Sequence, residues 1–211
     1  MTTVLYITAH PLEASESYSL AVGKEFIDTY RAENPQDEIV HLDLFQMNIP
    51  TFDADIINAL SKTRAGVTMD QLTEGERTKF TRIHEICDQF VAADKYVFAS
   101  PMWNLTLPAV LFNYINSLCL AGKTYRYTEH GQVGLLENKK AVHIQASGGM
   151  YSEGPASSLE SGQSYLRKIL GFIGITSFEG ILVEGMHYTP ERAGDIKNEA
   201  IAKAKEAAKQ F

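Results

Sequence analysis

Val4-Leu5-Tyr6-Ile7-Thr8-Ala9-His10-Pro11-Leu12-Glu13-Ala14-Ser15-Glu16-Ser17-Tyr18-Ser19 is the stretch on which the fold turns. Residues 4–8 form a short, nearly continuous apolar run, the pattern of a strand buried on both faces. A loop follows with His10-Pro11 near its start. Leu20, Gly23, Ile27 and Tyr30 then recur at helical spacing until Asn34-Pro35 stops the helix. Strand, loop and helix in that order open a βαβ unit.

The rest of the chain repeats the alternation. Ile39–Leu44 reads as a second strand, Tyr96–Ala99 as a third, Ala141–Ile144 as a fourth and Phe178–Val183 as a fifth. Between them, Phe80, Ile83, Cys87 and Phe90 line one helix face. Pro108 opens a helix over 108–121 that Gly122 ends. Another helix is expected near 158–171, and Thr189-Pro190-Glu191 supplies an N-cap, a first-turn proline and an acid for a final helix. Residues 45–77 are the least regular stretch, predicted to hold a short helix near Ala54–Leu60 and a mobile flap. Such alternation predicts a parallel sheet with helices on both faces, in one α/β domain over 1–211.

Charge and composition narrow the function. The 211 residues carry 19 Lys and Arg against 26 Asp and Glu, a net charge of −7. That surplus of acids argues against nucleic-acid and anionic-membrane partners, which need cations. No apolar run reaches the roughly 20 residues of a membrane span, and no secretory leader pattern opens the chain. Cys87 and Cys119 sit in apolar helical patterns and are expected as buried free thiols. A cytoplasmic location is the expectation.

In an open α/β sheet, ligands bind where the strands end. Three unusual loops leave strands at that edge. The first delivers Ser15, Ser17 and Ser19 to a helix N-terminus, where free N–H groups and hydroxyls favour an anion; the same serines suit plain capping. His10 and Lys24 are its only nearby cations. The second, Ser100–Pro108, carries the only Trp of the chain, Trp103, beside Met102. It suits either the edge of a flat aromatic ligand or a lid on the core. The third, Gln145–Pro155, has Gly148-Gly149, which permits close backbone approach or a tight turn. Together they describe a mononucleotide site, with phosphate at the first loop and ring between the other two. No dinucleotide fingerprint, Walker motif or nucleophile elbow is present. His84-Glu85-Ile86-Cys87-Asp88 lacks the second His of a zinc-protease helix, and the six histidines show no metal-ligand spacing, so no metal is expected.

Pro101-Met102-Trp103-Asn104-Leu105, Thr124-Tyr125-Arg126-Tyr127-Thr128-Glu129, Ala146-Ser147-Gly148-Gly149 and Leu170-Gly171-Phe172-Ile173-Gly174-Ile175 carry a further resemblance. Over essentially its whole length the chain resembles the FMN-dependent NADH-azoreductases, also described as FMN-dependent NADH:quinone oxidoreductases, of the flavodoxin-like superfamily. Ser17-Tyr18-Ser19 fits the Ser-x-Ser that ends the family's first FMN loop. Many members have Tyr at the position of Trp103 and Phe at that of Leu105. Their third loop often reads Ser-Arg-Gly-Gly, so an arginine is missing at Ser147.

The resemblance implies a flavodoxin-like fold with five parallel strands in the order 2-1-3-4-5. It implies one non-covalent FMN per subunit, held by His10, Ser17, Tyr18, Ser19, Pro101, Met102, Trp103, Asn104, Leu105, Ala146, Ser147, Gly148 and Gly149. Tyr127 and Phe172 belong to the implied substrate pocket. NADH or NADPH is the implied donor, quinones and azo compounds the substrates, and a homodimer with both sites at its interface the assembly. The apolar residues of helix 108–121 exceed what one sheet face needs, which suits such an interface. A flavodoxin-type carrier, binding FMN without an organic substrate, is the alternative. The extra length, the 45–77 segment and Phe172 favour the enzyme.

Overall fold

The computed structural model describes all 211 residues. Its five-stranded sheet consists of β1 (Thr3–Thr8), β2 (Glu38–Asp43), β3 (Lys95–Pro101), β6 (Lys140–Ser147) and β7 (Ser177–Glu184). They lie in the order β2-β1-β3-β6-β7, every neighbouring pair parallel. Numbering the parallel strands alone, this is the expected 2-1-3-4-5. The central strands are apolar on both faces because helices cover both. On one side, α1 (Tyr18–Glu33) and α6 (Ala193–Gln210) close over Val4, Val97, Val142 and Ile144. On the other, α3 (Glu74–Ala92), α4 (Ala109–Leu118) and α5 (Gly162–Phe172) bury Leu5, Phe98, Tyr96 and Ala141. The order reverses between β1 and β3, so the C-terminal ends of β1, β3 and β6 border a crevice there.

Several sequence expectations change in detail. The helix expected over 108–121 is shorter. Pro108 stands outside it with extended ψ, and the Leu118 carbonyl accepts from the Thr124 hydroxyl at 2.7 Å, which ends the helix there. The stretch expected as one helix near 158–171 divides into a 3-10 turn, Pro155–Leu159, and α5. Thr189 does not cap the last helix: its hydroxyl donates to Gly185 O, Pro190–Arg192 forms a 3-10 turn, and α6 starts at Ala193. The short helix of the 45–77 segment, α2, runs over Ala54–Arg64. It is pinned to α3 by Lys62–Glu76 at 2.6 Å and by Lys79 to Asp55 at 2.6 Å and to Asp53. Cys87 is buried, but Cys119 is only half-buried, and both are free thiols.

Two further differences bear on the site. The antiparallel hairpin β4 (Tyr125–Thr128) and β5 (Gly131–Gly134) was not read from the sequence. Gly134 packs on Gly174 so closely that a Cβ at 134 would lie 2.6 Å from the Gly174 Cα. Of the apolar residues of α4, Leu111, Tyr114, Ile115 and Leu118 enter the core, whereas Val110 and Phe112 are only partly buried, Phe112 packing on Tyr165.

Candidate functional site

A cleft of about 500 Å³ opens at the carboxyl edge of the sheet. The three loops singled out in the sequence meet there. His10 and Ser17 come from the loop after β1 and Tyr18 and Ser19 from the start of α1, Pro101, Met102 and Trp103 from the end of β3 and its loop, and Ala146, Ser147 and Gly148 from the end of β6 and its loop. A fourth segment, after β7, adds Met186, His187, Pro190 and Ala193. Sequence reasoning missed it. The fifth strand ends at the same edge as the others, so topology alone could have included its loop.

At the first loop, Ser17 is the N-cap of α1. Its Oγ accepts from the Leu20 N–H at 3.4 Å and shares a hydrogen bond with Ser19 Oγ at 3.2 Å. The capping role is therefore real, yet it does not exhaust the donors. The N–H groups of Tyr18 and Ser19 have no partner within the chain, and the positive end of the α1 dipole adds to them. His10 sits beside Trp103 with ring centroids 5.7 Å apart. Burial pulls its pKa below the ordinary imidazole value, against the opposing effects of the Leu12 hydrogen bond and Glu16.

The second loop contains a two-residue turn. Trp103 and Thr106 exchange both backbone hydrogen bonds, N to O at 2.9 and 3.0 Å. Asn104 (φ 49°) and Leu105 (φ 68°) between them both lie at positive φ. This is a primed hairpin turn, for which Asn is suitable at the first corner and Gly the preferred residue at the second. A leucine in that conformation is strained by on the order of 1–3 kcal/mol and persists only because its surroundings hold it. Asn104 and Leu105 are exposed, their N–H groups are unpartnered, and neither lines the cleft wall itself. Trp103 is 41% exposed, so it is not a lid on the core.

At the third loop, Gly148 and Gly149 again leave free N–H groups. The close approach that they permit is made by the protein's own rings. A Cβ at Gly148 would fall 2.6 Å from two ring carbons of His187, and one at Gly149 would fall 2.9 Å from Tyr151. Beneath the loops, Ser100 Oγ and His143 Nε2 share a 2.9 Å hydrogen bond in full burial. Desolvation pushes His143 down to about 3, against a small opposing effect of Glu160.

Tyr127 and Phe172 are not brought to this cleft. Tyr127 is 74% exposed on β4, and Phe172 ends α5 beside Tyr125, ring centroids 4.8 Å apart. Gly162, at the other end of α5, packs on Gln145 near the cleft. Eleven helical residues separate the two ends by roughly 16 Å.

The cleft volume lies within the roughly 300–1,000 Å³ range of small-molecule sites. Its helix start with free N–H groups, the Pro101–Trp103 wall and the free backbone donors suit a phosphorylated flat ring. A family model described as the flavodoxin-like fold matches residues 2–210. The chain belongs to this family. As a flavodoxin-like protein it is 53% identical, over the whole of both chains, to a protein of Bacillus pumilus named FMN-dependent NADH:quinone oxidoreductase. Its structure is similar to the azoreductase from Bacillus anthracis str. Sterne, with 38% identity, full coverage of both chains and a TM-score of 0.94. It is also similar to an FMN-dependent NADH-azoreductase from the Ames Ancestor strain of that species, solved in complex with FMN. There the identity is 29%, the coverage 100% and 99%, and the TM-score 0.92.

Proposed function

We propose that this flavodoxin-like protein is an FMN-dependent NADH oxidoreductase that reduces quinones and cleaves aromatic azo bonds. The convergence of the Ser17–Ser19 helix start, the Pro101–Trp103 wall and the Gly148 turn at one cleft carries the reading. The full-length likeness to the quinone oxidoreductase and azoreductases supports the substrate class. FMN, when bound, supplies a ring that accepts a hydride from the donor at N5 and passes two electrons to the acceptor.

The chain's own part is binding and electrostatics. The Tyr18 and Ser19 N–H groups, with the Ser17 and Ser19 hydroxyls, receive the phosphate. Pro101, Met102 and Trp103 would flank the ring, with Ala146 and Ser147 beside them on the neighbouring strand. The free N–H group of Gly148 in the cleft, and those of Asn104, Leu105 and Gly149 next to its lining residues Trp103 and Gly148, would favour negative charge on a bound ring. No side chain acts as a nucleophile. Donor and acceptor would enter the same open side of the cleft in turn, which would give ping-pong kinetics, and an azo bond would need two rounds because its cleavage takes four electrons. NADH is the donor that the relatives' names support, with NADPH to be compared.

We further read residues 1–211 as one domain acting in a homodimer, one FMN per subunit. Trp103, Leu105, Met150 and Leu159 leave apolar surface exposed around the cleft, and Tyr127 and Phe172 lie too far away to cover it within one chain. The same two residues of a second copy would complete the substrate pocket. Free thiols and a nicotinamide donor support a cytoplasmic setting; no helix is long and apolar enough to cross a membrane.

The test is purified protein mixed with FMN, NADH or NADPH and a quinone, without any partner protein. One FMN bound per chain and parallel double-reciprocal plots are expected. Tight FMN binding without NADH oxidation would indicate the electron carrier instead. Failure to bind FMN would remove the site assignment altogether.

A further inference from the structure

The strained Asn104–Leu105 turn is held from outside. Its Leu105 carbonyl accepts from the Ser161 N–H at 3.0 Å. The neighbouring residue, Glu160, is half-buried and accepts from Gln145 Nε2 at 3.1 Å, from the Gln163 N–H at 2.7 Å and from the Ser164 N–H at 3.0 Å. Gln145 Nε2 also lies 3.8 Å from Met102 Sδ, at the other end of the same loop. Gln145 is only 2% exposed and its Oε1 has no partner, so its amide is placed by the Nε2 contacts and by Gly162 packing against the oxygen. Burial opposes the charge of Glu160, but the donors from Gln145, Gln163 and Ser164 outweigh it and hold the carboxyl below its usual range. The segment 160–161 thus grips the loop at both Met102 and Leu105.

We propose that Glu160 is a positioning residue for the cofactor loop: through Gln145 and Ser161 it keeps the strained corner and its two free N–H groups fixed beside the cleft. A leucine at φ 68° would otherwise relax toward an ordinary conformation, carrying Trp103 with it. The carboxylate is needed because it alone gathers side-chain and backbone donors from β6 and α5 at once. This inference rests on the FMN reading for its effect on the cofactor, though not for its effect on the turn.

Two consequences separate positioning from a merely structural role. Leu105→Gly makes the corner Asn-Gly, which adopts the turn unaided, so it should remove the dependence on Glu160. Trp103 is the only tryptophan, so its emission reports the turn without any cofactor. The experiment compares the natural protein, E160A, E160Q, L105G, L105G/E160A and L105G/E160Q as full chains. E160A should shift the apo Trp103 emission and weaken FMN binding about tenfold or more, with a changed midpoint potential of the bound flavin. E160Q, keeping an acceptor oxygen, should restore part of both. In the L105G background, adding E160A should move neither emission nor affinity. Equal effects of E160A in the two backgrounds, or unshifted emission, would overturn the proposal. Should the natural protein bind no FMN, the cofactor reading fails while the apo emission still decides the role of Glu160. A misfolded E160A leaves the decision to E160Q, which must then shift the emission of the natural background more than that of L105G.

Discussion

His187 lies flat against Gly148, with two of its ring carbons where a side chain at 148 would come within 2.6 Å. The His187 N–H also donates to the Gly148 carbonyl at 2.9 Å, so the loops after β6 and β7 are joined at the cleft wall. Replacing Gly148 with Ala should therefore act through His187, pushing the imidazole into the space proposed for FMN. We expect FMN affinity to fall about tenfold, the equivalent of one substantial lost contact. His187→Ala in the same background should recover most of it. FMN titration of the two variants checks this; no recovery in the double variant would mean that the glycine contacts the cofactor directly.

Ser17 and Ser19 should separate stability from cofactor binding. Ser17→Ala removes the N-cap of α1 and should cost about 1 kcal/mol of folding stability. Ser17 and Ser19 both changed to Ala should weaken FMN by roughly 1.5–3 kcal/mol per hydroxyl lost from a charged oxygen. Riboflavin, lacking the phosphate, should lose far less. Equal losses for FMN and riboflavin in parallel titrations would reduce these serines to their capping role.

His143 sets a pH dependence of stability. Folded, it stays neutral down to about pH 3, whereas the unfolded imidazole takes up a proton near 6.5. Between those values the unfolded chain binds the extra proton, so the stabilisation is complete above 6.5 and is lost as pH falls toward 3. One proton corresponds to about 1.4 kcal/mol per pH unit. Urea unfolding from pH 7 to 4 should show this slope in the natural protein and a shallower one in H143Q. Identical slopes would show that the histidine is not the group that titrates.

Trp103 and the pair Tyr127 and Phe172 test the homodimer proposal. Trp103, half-exposed at the cleft, should be quenched when FMN binds and recover when it is removed. Tyr127→Ala with Phe172→Ala should leave FMN in place but raise the quinone KM, because these residues lie far from their own chain's cleft. Dilution to monomers should abolish turnover. A fully active monomer would locate the complete site in one chain.

Much of the architecture was legible because it rests on short-range rules. Apolar runs such as Val4–Thr8 and Tyr96–Ala99 cannot face water, and alternation with helical spacing leaves a parallel sheet as the way to bury them. The three loops at one sheet edge followed from that topology, since every parallel strand ends on the same side. Boundaries were less legible where tertiary partners compete for backbone groups. Thr124 takes the Leu118 carbonyl from the end of α4, and Gly185 draws the Thr189 hydroxyl from the start of α6.

The sequence by itself thus determined the alternation of strands and helices, the parallel sheet and the loops expected at its carboxyl edge, because periodicity and loop composition act locally; the strand order came from the resemblance to a known family. Only the tertiary structure decided which residues share that cleft. His187 entered it because β7 ends beside β6, and Phe172 was excluded from it because α5 carries it to the opposite edge. The strained Asn104–Leu105 corner and its grip by Glu160 and Ser161 were likewise invisible in sequence. A leucine adopts positive φ only where contacts from distant segments outweigh its local preference, and those contacts exist only once the chain has folded.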